Sequence, residues 1–186
     1  MPFMDAYIPE GALSQTAERE LIGKLSDLLI EHEGVDPANE TVRRMTWVSI
    51  HRPEVYVGGG PTRSPRYRFI CQVPEGQYDD ERRLAISAGI TKAVADAEDG
   101  AYPMPEARVS VFPLEVPDGT WGAMGGIIRL PDIYEIAWPP RPDMVGEPRE
   151  TAEQVLAERR RAQGEAVLAA ASEPTSPQTP ARGRTR

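Results

Sequence analysis

The sequence predicts an α/β chain of the α+β kind, two tandem β-α-β units forming a four-stranded mixed sheet with two helices on one face. An internal repeat carries this expectation. Ile8-Pro9-Glu10-Gly11 recurs as Val73-Pro74-Glu75-Gly76, and each copy follows a short apolar run and precedes a helical pattern ended by a glycine, Gly34 or Gly100. Further on, Val48-Ser49-Ile50 is answered by Val109-Ser110-Val111, and Gly58-Gly59-Gly60 by Gly125-Gly126, with most offsets near 65 residues. A helix within each connection lets the two strands of a unit run parallel through a right-handed crossover.

Taken in order, Phe3, Tyr7 and Ile8 suit a pleated surface, and Pro9-Glu10-Gly11 ends that first strand. The first helix is expected over about Gln15 to Glu33. Ser14 caps it, Ala17, Leu21, Leu25, Leu28, Leu29 and His32 recur at helical spacing, and Gly34 closes it. Phe69, Ile70, Cys71 and Val73 mark the first strand of the second unit, with Cys71 read as a buried strand residue. The second helix is expected over about Asp80 to Glu98, capped by Asp79, with Ile86, Ile90, Ala93 and Ala97 on one face. Each unit then ends in a glycine-bearing hairpin-like segment, Glu54–Gly60 and Asp118–Ile128. The triple glycine is no phosphate loop, because no helix with a Lys-Ser/Thr pair follows it. Close approach of a neighbouring subunit is the better use for it.

The ordered domain is expected over residues 1–138, with half repeats at about 1–62 and 63–138. Residues 139–186 read as a Pro/Ala/Arg-rich, largely disordered tail, with a transient helix over Glu150–Ala171. From Pro139 onward there are 8 arginines against 7 acidic residues, while the residues before it carry 13 basic and 22 acidic groups. An acidic body of this kind argues against nucleic acid as a partner, since phosphate binding needs a basic surface. No apolar run reaches the length of a membrane span, and the start lacks the pattern of a signal peptide, so no membrane partner and a cytoplasmic location are expected. One cysteine and two histidines, His32 and His51, supply no metal cluster. No metal or organic cofactor is expected.

Pro2, directly behind the initiator methionine, becomes a free secondary amine if Met1 is removed. An α-amino group titrates at about 7.7–8.0, and burial or a nearby cation lowers that value, leaving a neutral base at physiological pH. A base of this strength can take a proton from carbon.

Pro2, the tandem β-α-β halves with Pro-Glu-Gly after the first strand of each, and the paired glycines near the end of each half together resemble the tautomerase superfamily. The likeness is to its fused, double-length members, which include the malonate semialdehyde decarboxylase, cis-3-chloroacrylic acid dehalogenase and macrophage migration inhibitory factor groups. It covers about Pro2 to Trp138. The resemblance implies a homotrimer with the amino-terminal proline in a pocket at a subunit interface, moving protons on an enol or adding water to an activated acid. It implies Pro2 as the catalytic residue, and it places Arg108 and Trp121 where the short 4-oxalocrotonate tautomerases carry a strand-opening arginine and an aromatic residue. Arg66 and Arg68 resemble the arginine pair of the decarboxylase. The chain departs from the pattern at Ala12 and Gln77, where the short enzymes have an arginine after Glu-Gly. His32 falls about one turn late for the dehalogenase histidine, and Glu135 stands where a late glutamate could be a second acid–base group.

The expected activity is therefore tautomerisation of a small anionic keto or enol acid. Pro2 moves the proton, Arg108, Arg66 or Arg68 supplies the guanidinium that holds the carboxylate and faces the developing enolate, and Trp121 closes the pocket. The alternatives are a cofactor-independent hydratase, dehalogenase or decarboxylase of a three-carbon acid, and a non-catalytic trimer that binds a ligand or another protein.

Overall fold

A computed structural model describes residues 2–137 and 146–172. Its sheet has four strands in the order β2-β1-β5-β6, namely β1 (Phe3–Tyr7), β2 (Trp47–His51), β5 (Tyr67–Pro74) and β6 (Val109–Val116). Each unit is a parallel pair, β1 with β2 and β5 with β6, and the two units meet antiparallel at β1 and β5. The expected mixed sheet of two β-α-β units is the sheet found.

Helices α1 (Gln15–His32) and α3 (Asp80–Glu98) connect the strands within each unit and pack against one another. Ser14 accepts from the Ala17 amide at 3.2 Å, and Asp79 from that of Arg82 at 2.7 Å, which satisfies backbone donors that the helix cannot pair. Met4, Ala6, Phe69, Cys71 and Val73 face Leu21, Leu25, Leu29, Ile86 and Ile90 in one apolar core. Burial pushes the Cys71 thiol up to about 12, so it is an inert core residue. The helices touch closely at Gly89, where an added Cβ would stand 3.1 Å from a methyl of Leu28.

Strand alternation puts Phe3, Asp5, Tyr7, Arg68, Ile70, Ser110 and Phe112 on the other face, which no helix covers. Two small hairpins extend the units, β3 (Tyr56–Val57) with β4 (Gly60–Pro61), and β7 (Trp121–Ala123) with β8 (Gly126–Ile128). They lie within the hairpin segments expected from the sequence.

Among the described residues two helices lie outside that reading, and a third is longer and better packed than the transient helix expected. The short α2 (Glu40–Met45) is capped by Asn39, whose side chain accepts from the Thr41 and Val42 amides at 3.1 Å each. The other two are α4 (Leu130–Ala137) and α5 (Pro148–Ser172). Where a largely disordered tail with a transient helix was expected, residues 148–172 form a continuous helix whose first half is packed. Ala152 and Leu156 are buried against Leu130 and Tyr134 of α4. Arg149 pairs with Asp132 and Glu135, and Arg159 with Glu115 at 2.6 Å. The apolar contacts of this stripe are few, so the ion pairs fix its position as much as burial does. Residues 138–145 and the end of the expected tail, from 173 onward, lie outside the described residues.

Gly76 has φ +90° and an added Cβ would meet Val155 of α5 at 2.6 Å. Gly76→Ala is expected to cost about 1 kcal/mol or more in backbone strain alone, and to push α5 outward. Loss of amide-exchange protection over residues 152–160, with the sheet still protected, is the expected reading.

Candidate active site

The start of β1 decides where Pro2 stands. Phe3 pairs with Trp47 on one side and Gln72 on the other, so residue 2 falls between Thr46 and Val73, beside Met45 and Pro74. The Trp47 amide donates to the Pro2 carbonyl at 3.3 Å, and Pro2 is buried. Met45 and Pro74 are walls of a partly open cavity with about 20 Å³ of water-sized room, enough for one water. Its polar groups are Glu33, Gln77 and Tyr134, which are only 6%, 4% and 3% exposed. The Gln77 amide donates to the Tyr134 hydroxyl at 3.2 Å. Burial lifts the Glu33 carboxyl above its ordinary range, and the positive charge of the chain's amino terminus, hydrogen-bonded to it, opposes that rise.

The internal repeat supports the same neighbourhood. At an offset of 65 residues Pro2 corresponds to Tyr67, and Glu33 to Glu98. In the second unit these equivalents touch, the Tyr67 hydroxyl donating to Glu98 at 2.9 Å. There the carboxylate is also neutralised by Arg108. In the first unit the corresponding carboxylate faces the cavity and the amino terminus.

Arg108, expected to face an enolate, is therefore placed otherwise. It is 5% exposed and grips Glu98 through both terminal nitrogens, at 2.6 Å for one of them. Its Nε donates to the Pro103 carbonyl at 2.9 Å, and its remaining donors to the carbonyls of Pro65 and Tyr102 at 3.3 Å each. No donor is left for a substrate. Arg66 and Arg68 are also remote from Pro2. The antiparallel register sets Arg68 opposite Tyr7, and Pro2 lies five residues earlier, about 17 Å along the strand. Within one chain, the structure does not bring these three arginines to the amine.

Trp121 does lie at Pro2's end of the sheet. It is 9% exposed and its ring sits 5.0 Å from that of Phe3, which in turn lies 5.1 Å from Trp47. Gln77 occupies the position after Glu-Gly where the short enzymes have arginine, and it lines the cavity. His32 donates from Nδ1 to the Leu28 carbonyl, 2.7 Å away, and Glu135 pairs with Arg149, so neither enters the cavity. Among the described residues no group of three or more His, Cys, Asp or Glu side chains could hold a metal, and no helix is long and apolar enough to cross a membrane.

These features define a double β-α-β protein whose first strand starts beside a small, largely apolar pocket that carries one buried carboxyl group, Glu33. The chain has the fold of the tautomerase superfamily, as the sequence resemblance implied. It is similar to Pt0534 inactivated by 2-oxo-3-pentynoate, at 24% identity and a TM-score of 0.54, over 67% of this chain and 94% of that one. A wild-type fused 4-OT that forms an asymmetric trimer is 18% identical over the same shares, with a TM-score of 0.55. A member of the cis-3-chloroacrylic acid dehalogenase family matches 82% of this chain and 99% of its own, at 16% identity and a TM-score of 0.53. No protein-family model and no curated protein sequence matches the chain.

Glu33 and Tyr134 were missed in the sequence. A signal for Glu33 existed, since Glu98 repeats it at the offset of the Pro-Glu-Gly motif. Tyr134 lies on α4, outside the repeat, and left no such trace.

Proposed function

We propose that the chain, once Met1 is removed, is a cofactor-independent tautomerase in which the Pro2 amine and the Glu33 carboxyl exchange protons with a small carbonyl compound. The carrying observation is the small cavity beside the start of β1, whose described walls hold one carboxyl group, Glu33. Burial lifts Glu33 and disfavours charge on both partners, so for enolisation the pair reacts as amine and carboxylic acid, in exchange with ammonium and carboxylate. Pro2 takes the proton from the carbon next to the carbonyl, and Glu33 gives its proton to the oxygen as the enol forms. Passage of a proton from the ammonium back to the carboxylate resets the pair. Gln77 and Tyr134 hold the oxygen, and Trp121 shields the pocket's outer side.

With no arginine among the described residues that line the cavity, the pocket suits a neutral carbonyl compound or a monoacid better than a diacid. A keto acid needs several times the present volume, so α4, one wall of the cavity, moves aside during turnover. The small cavity is also what favours a second reading, a non-catalytic member of the fold. Trimerisation through the open sheet face fits both readings, because Trp47, Phe112 and Leu114 stand 62%, 46% and 45% exposed on it.

Ketonisation of an aryl enolpyruvate by protein with a native amino terminus separates the two, after mass spectrometry has established the loss of Met1. Turnover that falls about 10²–10⁴-fold in Pro2→Ala supports the enzyme. Equal inertness of wild type and variant, with Met1 gone, supports the binding protein.

A further inference from the structure

Helix α4 has two duties. Its Leu130 and Tyr134 line the small cavity beside the start of β1, and the same two side chains are the seat on which Ala152 and Leu156 of α5 rest. Helix α5 also reaches the facing wall. Val155 lies against Gly76 of the Pro-Glu-Gly turn, and Arg159 binds Glu115 at 2.6 Å, whose other oxygen accepts from the Gly76 and Tyr78 amides at 3.0 and 2.8 Å. Those two amides flank Gln77, which bonds to the Tyr134 hydroxyl of α4. One helix therefore clasps, from outside, the two walls that an entering ligand has to part.

The clasp is more charged than apolar. Among the described residues Ala152 and Leu156 are the buried apolar residues of α5, with Val155 partly buried beside them. Arginines hold both ends of that short stripe, Arg149 on Asp132 and Glu135 before it, and Arg159 and Arg160 on Glu115, Glu75 and Asp118 after it. The Arg149 pairs are open to water, with 49%, 41% and 49% of the three side chains exposed, and Arg160 stands 3.7 Å from each of its partners. Pairs of this kind are weak and are screened by salt. Helix α5 has no residue in the core between the sheet and α1 and α3, so it can leave without disturbing that core.

We infer that α5 is a strap whose release opens the Pro2 pocket. While it is docked, Leu130 and Tyr134 cannot swing outward. When it leaves, α4 parts from Gln77 and a ligand enters. The far end of α4 is pinned separately, Ala137 against Ile30, Val35 and Val42, and serves as the pivot. The inference deepens the function proposed above and rests on it for the purpose of the pocket.

The test reads access to the amino-terminal amine of the full chain and needs no turnover. Formaldehyde with cyanoborohydride methylates amines, and Lys24 and Lys92, the only lysines and both exposed, are internal standards. Methylation of the amino terminus relative to the lysines, followed by peptide mass spectrometry, should be slow in wild type. It should rise about 10²-fold in Leu156→Asp, which sets a charge in the buried stripe. Arg149→Glu, at the surface, should raise it about threefold or more. Wild type should show a rise of that size as salt goes from about 0.1 to about 1 M, which shortens the screening length from about 10 to about 3 Å. Val167→Asp, on the exposed far half of α5, should leave it unchanged. In both opened variants amide exchange should quicken over residues 130–137 and 149–160 while β1 and β5 stay protected. An amino terminus as reactive in wild type as in Leu156→Asp, or one that stays slow after the α5 amides have lost protection, would overturn the strap. Should Leu156→Asp unfold the sheet, Arg149→Glu and the salt series decide, and the absence of a rise in either overturns it. A chain that is inert toward an aryl enolpyruvate but shows these responses removes the tautomerase and keeps the strap.

Discussion

Arg108→Met is expected to destabilise the folded chain by about 3–5 kcal/mol, the cost of leaving a buried charge without its partner. The side chains of Arg108 and Glu98 are 4% and 1% exposed, so water cannot take over the lost contacts. Methionine keeps much of the volume, which confines the loss to the ion pair and to the carbonyls of Pro65, Tyr102 and Pro103 that the guanidinium serves. The double variant Arg108→Met with Glu98→Gln should recover part of the stability, because an amide is cheaper to bury than an unpaired carboxylate. Denaturant midpoints of the two singles and the double check this. A single variant as stable as wild type would mean that Glu98 has another cation, and would reopen a role for Arg108 outside the fold.

Glu33→Gln should lower kcat for ketonisation about 10²-fold or more, through loss of the group that takes the proton from the enol oxygen. In this direction the Pro2 ammonium gives its proton to carbon and the Glu33 carboxylate accepts one, so the reacting pair holds a single proton, and the wild-type rate falls on the acid side as the pair takes up a second proton and on the alkaline side as it loses its last. Glutamine removes the acid limb. Stability supplies a readout independent of turnover. Glu33 is raised from an ordinary value of 4.5. The folded chain thus holds this proton more tightly than the unfolded one. The group's contribution is fully present below 4.5 and is lost as pH rises through the raised folded value. The melting temperature of Glu33→Gln relative to wild type should therefore climb across that interval. A flat difference with unchanged turnover would leave Glu33 as an inert wall.

Much of the fold was legible because its repeat is written in motifs that carry backbone meaning. Pro-Glu-Gly ends a strand, Ser14 and Asp79 open helices, and Gly34 and Gly100 follow their ends with φ of +80° and +76°. The mixed sheet carries an antiparallel meeting of the two units, which sends the starts of β1 and β5 to opposite ends, so Arg66, Arg68 and Arg108, assigned to the Pro2 site by the family resemblance, stand far from it within one chain. The packing of helix α5, read only as a transient helix, was hidden for a different reason. Its composition is that of a solvated helix, and what anchors it is a short stripe at Ala152 and Leu156 together with arginines whose acidic partners, Glu75, Glu115 and Asp118, lie far away in sequence.

The central claim is that a free Pro2 amine and Glu33 act on one another. Nitrogen-15 labelling of proline, with the resonance of residue 2 followed against pH in wild type and in Glu33→Gln, measures this directly once mass spectrometry has shown Met1 to be absent. The pair shares one proton, and its ammonium–carboxylate arrangement keeps Pro2 charged to higher pH; glutamine abolishes that arrangement, so the apparent pKa of Pro2 should fall when Glu33 becomes glutamine. An amine that titrates identically in the two proteins, or a purified chain that retains Met1, would contradict the account.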